Sequence, residues 1–105
     1  MLYHHEYTSM TEALKGLKAR GFATNFEFLN NAFCAVDSGR TFKAEELSIR
    51  EHHRFEGASD PDDESIVYAI ETNDGLRGTI ADAYGVYANA ELEDFMKKVK
   101  MREMR

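Results

Sequence analysis

The chemistry-bearing residues of this chain gather between positions 54 and 64. Asp60-Pro61-Asp62-Asp63-Glu64 places four carboxylates around the only proline, between two apolar runs, and Arg54 and Glu56 stand just before it. Asp60, Asp62, Asp63 and Glu56 could hold Mg²⁺, which accepts one or two carboxylates and keeps several waters, with Arg54 placed on a phosphate. Calcium of the EF-hand type is excluded, because the sixth position counted from Asp60 is Ser65, where the tight turn needs glycine, and apolar Ile66 follows. Each residue also has a turn-making reason: Pro61 presets φ, and the aspartates open and solvate the tip. The stretch therefore reads first as a structured turn and second as a binding surface. A second candidate lies in DAYGVY, where Asp82 shares a strand face with Ile80 and Tyr84, so an acid stands among apolar groups.

Other constellations carry less. His52 and His53 are adjacent, so in a strand they point to opposite faces and cannot easily share a metal, and His4-His5 sit near the start. No metal site and no catalytic residue is expected. The serines lack a G-x-S-x-G setting, and no dinucleotide or P-loop glycine pattern occurs; LRGTI is too short to cradle a phosphate. Cys34, the single cysteine, lies among Ala32, Phe33, Ala35 and Val36 and reads as a buried, inert thiol.

These groups must be positioned by a small set of elements. Ser9 and Glu12 form a capping box before Met10, Leu14 and Leu17, and Gly21 stops that helix. Gly16, inside it, suggests close packing onto a sheet. Phe26 and Phe28 alternate with polar residues, and Asn30-Asn31 turns that strand back into residues 32–36. KAEEL makes one helical turn. Leu47, Ile49, His53 and Phe55 fall on one face of an extended segment that Glu51 interrupts; residues 65–72 and 76–83 follow, joined by an Asp74-Gly75 type I′ turn. Asn89 caps a final helix with Leu92, Phe95, Met96 and Val99 as its stripe, acids in its first turns, and Lys97, Lys98, Lys100 and Arg102 toward its end. The expected fold is α+β: a two-layer sandwich with an antiparallel sheet of three to five strands, and the N-terminal and C-terminal helices on one face.

The totals bound the function. The 105 residues suit one domain over residues 1–105, with 1–8 and 103–105 as mobile ends. A net charge of −6 argues against a broad nucleic-acid surface, and no apolar run approaches the ~18 residues of a membrane span. MLYHHEYTSM has no apolar signal core, and one lone cysteine fits a reducing compartment, so the expected location is cytoplasmic. Abundant aromatics and short edge strands suggest a homodimer.

TEALKGLKARGF, EELSIREHHRFEG, SDPDDESIVYAI and GLRGTIADAYGVYA together resemble a small bacterial family of single-domain proteins commonly labelled phosphoribosylpyrophosphate synthetase. The resemblance runs from residue 11 to residue 92 and is sharpest over 54–57, 60–63 and 83–85. Where members carry an aromatic before the Arg-Phe-Glu-Gly run, this chain has His53. The resemblance implies a self-contained domain in which Arg54, Glu56 and the acids at 60–63 act as a unit. The two-substrate synthetase reaction needs two Rossmann-like halves and a phosphate loop, for which the chain has neither pattern nor length. The expected function is thus a non-enzymatic binding or regulatory module for a protein partner or small polar ligand; the alternative is a phosphate- or nucleotide-binding, Mg²⁺-assisted protein. The expected ligand-binding residues are Arg54, Glu56, Asp60, Asp62, Asp63, Asp82 and Tyr84, with Mg²⁺ the only cofactor considered.

Overall fold

The computed structural model describes residue 7 and residues 9–55, 65–83 and 89–102. Helix α1 (Met10–Ala19) is followed by β1 (Thr24–Leu29), β2 (Ala32–Ala35), β3 (Thr41–Phe42), a 3₁₀ turn at Ala44–Glu46, β4 (Leu47–Phe55), β5 (Ser65–Thr72), β6 (Arg77–Ala83), α2 (Ala90–Lys97) and β7 (Lys100–Met101). The seven strands join in one sheet of order β3-β2-β1-β6-β5-β4-β7. β4, β5 and β6 form the expected antiparallel meander, but β1 runs parallel to β6 and β7 parallel to β4. The two-layer sandwich with three to five antiparallel strands is therefore incorrect: the protein is mostly β, a mixed seven-stranded sheet curled into a half-barrel with two helices.

The helices also lie on opposite faces. Along β5, Val67 and Ala69 pack with Leu17 of α1 and with Phe22, whereas Ile70 packs with Ile80 of β6 and with Leu92, Phe95 and Met96 of α2. A strand buried on both faces places apolar residues at consecutive positions, as SIVYAI does. The larger cluster fills the inside of the curl around Phe26, Phe33, Phe42 and Phe95, with the Phe33 and Phe95 rings stacked at 4.9 Å.

Local signals explain the element ends. Ser9 accepts a hydrogen bond from the Glu12 amide at 3.1 Å, and the Asn89 side chain accepts from the amides of Glu91 and Leu92. The β1–β2 turn has positive φ at both Asn30 (52°) and Asn31 (59°), as a type I′ turn requires. At the β5–β6 turn only Gly75 has positive φ (90°), so Asn73, Asp74 and Gly75 form a three-residue loop and not the expected type I′ turn. Gly78 sits where β1 meets β6, and a Cβ there would overlap the Thr24 carbonyl, so only glycine permits that seam. Gly16 makes room for the Tyr7 ring and not for the sheet.

The C-terminal helix is shorter than its pattern suggests. α2 ends at Lys97, and Lys100 and Met101 pair beside Ser48 and Ile49 of β4. Lys100 and Arg102 are thus sheet-edge residues and do not extend the helix.

Phe33 is fully buried (0% exposed), whereas Leu29 is 52% exposed. Phe33→Ala should lower the unfolding free energy by about 3–5 kcal/mol in urea titrations, by lost burial plus a cavity. Leu29→Ala should change it by less than about 0.5 kcal/mol.

Candidate functional site

Strand β4 decides where its polar residues go. Ile49 pairs with Ile70 and Glu51 with Ala69, so Arg50 is an extra residue, a β-bulge. One inserted residue reverses which face every later side chain takes. Leu47 and Ile49 enter the large core, but Glu51, His53 and Phe55 pair with Ala69, Val67 and Ser65 on the α1 face. The single apolar face expected for Leu47, Ile49, His53 and Phe55 is therefore split in two. His52 and His53 do point to opposite faces, beside Tyr68 and Val67.

On the α1 face a polar network results. Arg20, which caps the end of α1, binds Glu51 through both guanidinium Nη atoms, one at 3.0 Å from Oε1, and donates to the Tyr7 hydroxyl at 3.2 Å. His53 Nε2 lies 3.0 Å from Glu51 Oε1, and its ring meets the Tyr7 ring edge-on at 4.9 Å. Tyr7, one of the residues 1–8 expected to form the N-terminal end, takes part in this contact. Burial pushes the Glu51 carboxyl up, but hydrogen bonds from Arg20 and His53, with the Arg20 charge, outweigh it and leave its pKa below the ordinary value. Sequence reading noticed Glu51 as an interruption but missed its pairing with Arg20; the signal was Glu51 itself, an acid at an apolar position of a period-two pattern.

On the opposite face of the same strands, two residues expected in a ligand site come onto one surface. Arg54 pairs with Ile66, and Ile66 with Asp82, so Arg54 and Asp82 flank one strand at about 10 Å between Cα atoms, from the strand spacing. One row inward, His52, Tyr68 and Ile80 lie side by side. Arg54 is exposed and Asp82 and Tyr68 are half-buried. Asp82 Oδ2 accepts from the Asn89 amide at 3.4 Å, which ties β6 to the start of α2. Burial raises the Tyr68 hydroxyl pKa above the usual phenol value, the Asp82 charge adds to it, and Arg54 opposes it. The phenol thus stays protonated, a neutral donor and acceptor between a carboxylate and a guanidinium.

Glu56, Asp60, Asp62, Asp63 and Tyr84 lie outside the described residues, as do His4 and His5. Among the described residues no three His, Cys, Asp or Glu side chains come together as a metal ion would require. Cys34 is a free thiol and only half-buried, less enclosed than its neighbours suggested. No described helix is long and apolar enough to cross a membrane. No protein-family model, curated protein or solved structure matches the chain.

The Glu51 network has a pH signature. Because the folded pKa of Glu51 lies below its unfolded value, its contribution is complete at neutral pH and is lost as pH falls through the carboxylate range. Denaturant titrations should show stability dropping below about pH 4.3, the ordinary glutamate value. Glu51→Gln should flatten part of that drop. At pH 7, Arg20→Ala should cost about 1.5–3 kcal/mol, since it strands a half-buried carboxylate.

Proposed function

We propose that this protein is a non-enzymatic binding module that holds a small polar ligand at the end of the sheet where Arg54, Tyr68 and Asp82 share a face. The observation that carries the reading is the placement of Arg54 and Asp82, from separate strands, on either side of β5, one row outward from Tyr68. A guanidinium, a protonated phenol and a half-buried carboxylate together offer donors and acceptors of both charge signs within reach of one small molecule. Glu93, exposed on α2, adds its charge from the helix side and also acts on the phenol. The seven-residue β6 and eight-residue β5 support these groups from regular strands, which position side chains better than loops do. The resemblance to the phosphoribosylpyrophosphate synthetase-labelled family adds nucleotides and phosphoribosyl compounds to the ligands worth offering, with Mg²⁺ as a companion ion.

A thermal-shift screen with nucleotides, phosphoribosyl pyrophosphate, sugars and Mg²⁺ tests this reading. A ligand present at about 100 times its Kd should stabilise the fold by about 2.7 kcal/mol. Asp82→Asn and Arg54→Gln should each abolish the shift, and Tyr68→Phe should weaken it. Stabilisation that survives all three substitutions, or none from any ligand, sinks the proposal.

A further inference from the structure

We propose that a second site, at the opposite end of the sheet and on the α1 face, binds a small, multiply charged oxyanion of the phosphate class through Arg50. It stands independently of the Arg54 site, since the two lie at different ends of β4 and on different faces.

Arg50 is the residue inserted by the bulge, and bulges commonly re-aim one side chain. Its side chain is 25% exposed and lines a cleft of about 360 Å³. Within it, the Arg50 Nε is buried and has no hydrogen-bond partner among the described residues. A buried donor left without an acceptor is destabilising, so a guanidinium held this way favours an acceptor that completes it. Glu71 does not complete it: its Oε1 lies 3.6 Å from Arg50 Nη1, beyond hydrogen-bond reach, and 3.6 Å from Arg77 Nε on the other side. One carboxylate is thus shared between two guanidiniums, and a positive charge is left over.

The neighbours add to that excess. Lys100 and Arg102 also line the cleft, because β7 lies in parallel beside β4 with Lys100 next to Ser48 and the Arg102 amide donating to the Ile49 carbonyl at 2.7 Å. Both side chains are exposed and extend from the edge. Of the two other acids in the cleft, Glu46 is turned back to accept from the Lys43 amide at 2.8 Å, which spends its carboxylate on the 3₁₀ turn. Glu45 remains as the one acid facing solvent there. A fork-shaped donor flanked by two flexible cations suits a tetrahedral dianion, which accepts two parallel hydrogen bonds from arginine and a charge from each neighbour.

The test is a titration of the ¹⁵N-labelled full chain with inorganic phosphate at constant ionic strength, reading the arginine Nε–Hε resonances. Arg50 should show a saturable shift with a Kd below about 5 mM. Acetate, with one charge, should bind at least about fivefold more weakly. Arg50→Lys, which keeps the charge and loses the fork, should weaken binding about tenfold by the backbone amide shifts of Ser48 and Asn73. The Lys100→Gln/Arg102→Gln double variant alters exposed residues only, so its fold should persist, and its affinity should fall several-fold. An Arg50 resonance that does not saturate overturns the proposal. So does acetate binding as tightly as phosphate, Arg50→Lys binding phosphate as wild type does, or unchanged affinity in the double variant.

Discussion

The bulge at Arg50 is the constraint on which the rest of the architecture depends. Without it, period-two alternation would carry Glu51 into the phenylalanine-lined interior beside Leu47 and Ile49, where an acid would have no partner. With it, Glu51 emerges under the end of α1 and meets Arg20, and Phe55 joins the smaller core beneath that helix. One extra backbone residue thus lets β4 serve two cores in succession, one on each side of the sheet.

The two-sided arrangement follows from that. The large aromatic cluster closes one face under α2, and the smaller cluster of Leu17, Phe22, Val67 and Ala69 closes the other under α1. The small cluster has few apolar residues, and its margin is polar: Arg20 and Arg77 approach the Phe22 ring at 6.0 Å and 5.5 Å, and the Glu51 network borders its far side. Such contacts add about 1 kcal/mol each where solvent reaches them, so they orient α1 more than they hold it. The seam between β1 and β6 depends on a single backbone approach at Gly78, which lets the half-barrel curl instead of ending as two separate sheets.

The polar sites inherit this geometry. Tyr68, Asp82 and Arg54 come together because the meander β4-β5-β6 is regular beyond the bulge, so their rows can be counted across three strands. Arg50, Lys100 and Arg102 come together because the chain returns after α2 to add a two-residue strand at the opposite edge. Arg54 and Asp82 were legible as candidates from residue type and strand parity. Arg50 was not, since in the sequence it is one more charged residue on an apparently solvated face.

By itself, the sequence determined what short-range chemistry can specify. Ser9 and Asn89 cap their helices, Asn30-Asn31 makes its tight turn, and β4, β5 and β6 follow one another as an antiparallel meander. Those signals act within a few residues, and no distant segment can override a cap or a left-handed turn cheaply. What only tertiary structure decided was pairing between segments far apart: β1 beside β6, β7 beside β4, and one helix on each face. Val99 and Lys100 continue a helical pattern as readily as they leave it, and the free edge of β4 settled the matter by offering backbone partners. The bulge belongs to both accounts. Glu51 announced a break in parity, but the Arg20 guanidinium, 31 residues away in the chain, determined on which side it would be resolved.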